Sequence, residues 1–342
     1  MTIARHRDAP YSTAPCRAET IRITRPHKPN PCSITTVSDV ALAAQTLNSD
    51  YPLEVGRVFR DGVRLETNLT VRRLESDDAK KIMDACEPCG LNFKPTRQFG
   101  HYYAIERTCP PDSQSDNWDQ DQTITRAIAF SRWVHDSSFG FEYAARIQRD
   151  ESAVIAKICP LRFGPQAFCT DTAKTWVTPD EWTKVSKLLS NWSASFARGC
   201  PRIERAIWYR EHAAREYYVD VRWVQLVTAV ESLVSTWDDV LSVSQRNKGR
   251  RGKRFHTGAQ NLARHCGTNL SEKEAEEAWN RRSAFVHAGD LPNPSNGMPG
   301  VIDPLYLRLQ FVLDQALQRV VLDDEYARNF ESEETVTLWL ST

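Results

Sequence analysis

From Thr178 to Val321 the apolar residues recur three and four positions apart, the spacing of a helix face rather than of a strand. The change begins at Thr178-Pro179-Asp180-Glu181. Thr178 can cap a helix, Pro179 suits a first turn, and Glu181 can return a hydrogen bond to the cap. Trp182, Val185, Leu188, Leu189, Trp192 and Phe196 then form a stripe that stops at Gly199. A second helix follows Pro201, and a third over about 218–237 carries Trp223, Leu226, Val227, Val230, Leu233 and Val234. After a basic loop come a short helix near 257–265, a helix over about 272–288, and a last one opening at Asp303-Pro304. Six amphipathic helices with short links can hide their stripes only against one another, which predicts an all-α bundle.

Upstream the pattern is mixed. Val55, Val58 and Phe59 precede Asp61-Gly62, and Val63, Leu65, Leu69 and Val71 follow, predicting a β-hairpin over 52–73 with its turn at Asp61-Gly62. Ser76 caps a short helix ending at Gly90. Strands are expected at Phe99–Thr108, Glu142–Gln148 and Ala153–Ile158, and a helix at Thr123–His135. The fold class is therefore α+β: a flexible tail (1–35), an α+β domain (36–176), a helical bundle (178–322) and an acidic C-terminal extension (323–342). In that extension Val336, Leu338 and Leu340 alternate with polar residues. This predicts a strand, docked on the N-terminal domain or on a second copy.

The helix over 272–288 carries the candidate chemistry. It opens with a capping box, Ser271 and Glu274, and ends before Gly289. Ala275, Ala278, Trp279, Phe285 and Val286 form its apolar stripe, with Arg282 in the middle. A guanidinium cannot lose its charge, so one in such a stripe needs a partner. Glu231, on the shoulder of the third helix's stripe, is the first candidate, and Arg210, mid-stripe on the second helix, competes for it. His287 lies on the flank with Asn280 and Ser283, in the last turn, where the helix dipole favours an imidazolium. A structural ion pair with an incidental histidine is one reading, and a paired reactive site is the other.

Arg282-Ser283-Ala-Phe-Val-His287 resembles the R-x4-6-H signature of HEPN domains in its Apea-like form, and Arg222–Trp237 resembles the upstream helix of that branch with its Ala-x-Glu-x-Leu pattern. The likeness covers residues 178–322. It implies a HEPN endoribonuclease that cleaves RNA without metal, with Arg282 and His287 catalytic and Glu231, Ser283 and Asn280 supporting. It also implies a homodimer that supplies two imidazoles, a role in defence or as a toxin, and room for a regulatory or antitoxin partner. Many HEPN domains bind without cutting, which leaves a non-catalytic RNA- or protein-binding module as the alternative. Where the family commonly has Asn, Asp or His after the arginine, this chain has Ser283.

Arg246-Asn-Lys-Gly-Arg-Arg-Gly-Lys-Arg254 places six cations in nine residues: Arg246, Lys248, Arg250, Arg251, Lys253 and Arg254. Such a loop can follow a phosphate backbone, or it can be a solvated connector. Net charge is otherwise zero, so no global field draws the chain to nucleic acid or membrane. No run of about 18 apolar residues spans a bilayer. Nine cysteines without framework spacing suit a reducing cytoplasm. Cys86-Glu-Pro-Cys89 has ligand-like spacing, but only scattered His101 and Cys109 follow, and four ligands are needed for structural zinc. Without a phosphate-cradling glycine motif, neither cofactor nor metal is expected.

Overall fold

The computed structural model describes residues 36–44, 62–73, 102–109, 123–135, 143–149, 154–159, 177–216, 218–235, 248–288 and 303–342. The tail to residue 35, the helix expected from Ser76, the Cys86/Cys89 pair, His101, Arg246 and Gly289 lie outside them. Residues Ile34–Thr342 form one compact unit. It is mostly helical with an antiparallel sheet, a mixed α+β fold.

Among the described residues six strands make the sheet: β1 (Thr36–Ala44), β2 (Val63–Glu66), β3 (Leu69–Arg73), β4 (Tyr102–Cys109), β5 (Tyr143–Arg149) and β6 (Val154–Cys159). Their order is β2-β3-β4-β1-β5-β6, and every pairing is antiparallel. The central strand β1 falls where no strand was predicted. The stretch expected as one strand from Val63 to Val71 is two, β2 and β3, joined by a turn at Thr67-Asn68, while the strand expected before Asp61 and Asp61 itself lie outside the described residues. Gly62 precedes β2 with a φ of +75°, and a Cβ there would lie 2.9 Å from Thr70 Cγ2, so glycine serves the approach to the strand. Arg64 closes the Thr67-Asn68 turn, its Nη2 donating to Thr67 O at 3.0 Å.

Helix α1 (Thr123–Val134) buries Ile124, Ile128, Phe130 and Trp133. It joins the strands to the bundle: Phe130 meets Trp192 at 5.9 Å between ring centroids, and Gln318 Nε2 donates to Trp133 O at 2.6 Å. Helix α2 (Pro179–Trp192) has the predicted capping box at Thr178, and its Ser186 hydroxyl donates to Leu65 O on β2. Leu65, Leu69, Val71 and Ile105 of the sheet therefore belong to the same buried cluster as the helix stripes.

The bundle continues with α3 (Pro201–Arg215), α4 (Val219–Val234), α5 (Lys248–His265), α6 (Glu272–Ala288) and α7 (Pro304–Leu322), the last capped by Asp303. Two short helices follow, α8 (Asp324–Arg328) and α9 (Glu333–Leu340). Residues 333–340 are helix, not strand: Val336 and Trp339, three apart, are buried while Leu338 is 69% exposed, a helical pattern. The basic stretch is not a loop from Lys248 onward, because α5 begins there rather than near 257. Among the described residues no helix is long and apolar enough to cross a membrane.

Candidate functional site

Helices α5 and α6 form an antiparallel pair. α5 ends in a Schellman motif, with Gly267 at φ +71° and Thr268 N donating to Ala263 O at 2.9 Å. Leu270 is buried, and Ser271 then opens α6 with the expected capping box: its hydroxyl donates to Glu274 Oε2 at 2.7 Å and accepts from Glu274 N at 3.3 Å. The bond from the Ser271 hydroxyl, with another from the Ser271 backbone N–H at 2.9 Å, holds the Glu274 carboxyl below its usual range.

The pairing register brings Gly252 and Phe255 of α5 against Trp279 of α6, with ring centroids 5.3 Å apart for the two aromatics. One helical turn beyond that contact lie Lys248 on α5 and Arg282 and Ser283 on α6. The basic start of α5, with Lys248, Arg250 and Arg251, therefore stands at the same end of the bundle as the Arg282/His287 turn. Lys253 is exposed and Arg254 half-buried. Together with Thr257 they face Thr337 and Leu340 of α9, and Ser341 that follows it, across a shallow cleft, and Arg254 Nη1 donates to the Thr337 hydroxyl at 3.4 Å.

Helix α6 is fixed by its other arginine. Arg281 bonds both Glu277 and Asp303 and lies over the Trp223 ring at 5.1 Å, while Trp223 Nε1 donates to Ala278 O at 3.1 Å. Arg282 points to a different neighbour. Its Nη2 is 3.6 Å from Glu231 Oε2, an ion-pair distance beyond a good hydrogen bond, and its guanidinium carbon lies 5.3 Å from the Trp279 ring centroid. Glu231 is 5% exposed. Arg282 Nε is buried and has no hydrogen-bond partner among the described residues. The competing Arg210 is taken elsewhere: its Nε and Nη2 donate to Asp314 on α7 at 2.6 and 2.7 Å.

His287 and Asn280 are exposed and Ser283 is half-buried. The expected apolar stripe is incomplete, because Val286 is 49% exposed where Ala275 and Ala278 are fully buried. The helix is closing off at that end, and its last turn leaves the core. Among the described residues no group of three or more His, Cys, Asp or Glu could hold a metal ion.

The arrangement offers a fixed cation between a carboxylate and an indole, an imidazole at the surface within two turns, and a basic helix start beside them. Sequence reasoning missed Trp279 as Arg282's neighbour and Gly252 as the residue that admits the indole. The i,i+3 spacing of Trp279 and Arg282 was the available signal. Comparison of the chain with protein-family models, with curated proteins and with solved structures finds no match, so the meaning of the site rests on its own residues.

Proposed function

We propose that the bundle is a HEPN-type endoribonuclease that cleaves single-stranded RNA without metal. The observation that carries this reading is Arg282, braced by Glu231, five residues before an exposed His287 and beside the basic start of α5. In the reaction the ribose 2′-oxygen forms a bond to the adjacent phosphorus and the bond from phosphorus to the 5′-oxygen breaks. One imidazole takes the 2′-hydroxyl proton and a second protonates the leaving oxygen. Arg282 neutralises the charge that gathers on the phosphorane. One chain contributes one His287, so the reading requires a two-fold dimer. Surface exposure of His287 leaves it open to a second copy.

The test is cleavage of single-stranded RNA in EDTA by the wild type and His287→Ala. Loss of about 10²-fold or more in the variant is expected, and RNA lacking 2′-hydroxyls should stay intact. Equal activity in both proteins, or none in either, removes the nuclease reading. A non-catalytic binding module is the second reading. It is favoured by the same Glu231–Arg282–Trp279 contacts, which would equally serve a purely structural brace. A monomer by light scattering, binding RNA without cutting it, would select that reading.

A further inference from the structure

We propose that Gly252 and Trp279 are positioning residues for Arg282, with α5 setting through them where the guanidinium stands. This rests on the reading of Arg282 as the group that meets phosphate. The glycine lies inside α5 and is buried, in a stretch whose other residues are mostly cationic. A Cβ at 252 would lie 3.2 Å from Trp279 Nε1 and 3.5 Å from its Cδ1, so the indole occupies the space a side chain would need. Phe255, three residues on, meets the same indole at 5.3 Å and limits its movement along α5. The indole is thus confined by backbone on one side and a buried ring on the other. It presents its face to Arg282, whose guanidinium carbon sits 5.3 Å from the ring centroid.

Glu231 alone cannot fix the group, because its contact with Arg282, at 3.6 Å, is a loose ion pair rather than a bidentate hydrogen-bonded one. The buried, unbonded Nε shows that the chain of Arg282 is held by packing rather than by hydrogen bonds at that atom. Packing of this kind fixes the guanidinium plane and leaves the remaining Nη edge for a ligand oxygen. An alanine at 252 pushes the indole by a few tenths of an ångström, and the guanidinium resting on it follows. A leucine in place of Trp279 removes the ring face altogether, whereas phenylalanine keeps one.

Two measurements on the full chain test this. The first is the side-chain Nε–Hε resonance of Arg282 in a ¹⁵N–¹H spectrum, assigned by its loss in Arg282→Lys. It is expected at a position displaced by the indole ring current, moved toward a free arginine in Trp279→Leu, partly kept in Trp279→Phe and shifted in Gly252→Ala. The second is RNA cleavage in EDTA. Trp279→Leu and Gly252→Ala are expected to lower kcat, the former by about tenfold or more, with KM little changed, while Trp279→Phe retains most of the rate. Alanine is the better helix former, so Gly252→Ala that melts no lower yet cuts more slowly separates positioning from folding. An Arg282 resonance at the free-arginine position, or one unmoved in Trp279→Leu and Gly252→Ala, overturns the proposal. If wild type cuts no RNA, the nuclease reading falls and the resonance alone decides the positioning.

Discussion

Arg210 and Asp314 show what one buried charge demands of its neighbours. Both side chains are almost wholly buried, and Asp314 receives two parallel hydrogen bonds from the guanidinium. Burial opposes the charge, but the carboxylate outweighs it and raises the Arg210 pKa. Asp314→Ala leaves the cation stranded and is expected to cost about 3–5 kcal/mol in urea unfolding, whereas the double variant Arg210→Met/Asp314→Leu should recover most of that loss. An Asp314→Ala protein of wild-type stability would show that water reaches the pair. The sequence marked Arg210 as needing a partner, since it falls mid-stripe, but offered Glu231. Asp314 lies 104 residues away on α7, and only the packing of α3 on α7 brings it near. The same logic applied to Asp314, a carboxylate inside a stripe of leucines and valines, would have matched the two. Local signals were read more easily. Thr178, Ser271 and Asp303 each announce a helix start by what stands within three residues of them.

Among the elements, α2 depends on its first turn for more than capping. Glu181 accepts from Thr178 N at 2.7 Å and from the Thr178 hydroxyl, and its other oxygen lies 2.9 Å from His135 Nδ1, just past α1. Partial burial opposes ionisation, yet the bond to His135 and the cap hold the carboxyl at about 2. A depressed carboxyl stabilises the fold above its ordinary value of 4.5, and that contribution is lost as pH falls toward 2. Wild type is expected to lose urea midpoint across this window. Glu181→Gln should start lower at neutral pH and lose less, and parallel curves for the two would count against the pairing. Elements misread from sequence failed for identifiable reasons. Two glycines in the basic stretch suggested a loop, but Gly252 is small because an indole lies on it, and the helix gains from that contact. In α9 the alternation of Val336, Leu338 and Leu340 imitated a strand, while burial of Trp339 against His265 and Phe330 decides for a helix. Gly258 is a further such case. A Cβ there would stand 2.5 Å from Val234, so Gly258→Ala is expected to cost about 1–3 kcal/mol, partly restored by Val234→Ala.

For the whole molecule, the buried cluster runs without a break from the sheet through α1 and α2 into the bundle. The helical half was legible because its period persists for over a hundred residues, but its dependence on the strands was not, since that lies in contacts between distant segments. A fragment spanning residues 177–342 would uncover the faces of α2 and α7 that α1 now covers. It is expected to bind a hydrophobic dye and to lose the sharp unfolding transition of the full chain. A cooperative fragment with the wild-type midpoint would show that the bundle is self-sufficient. Where Gly258 meets Val234, α5 approaches α4 too closely for an interleaving layer of side chains. Two rods that touch at that crossing have no lubricating surface between them. They should open to solvent deuterium in a single concerted event, carrying Glu231 with them.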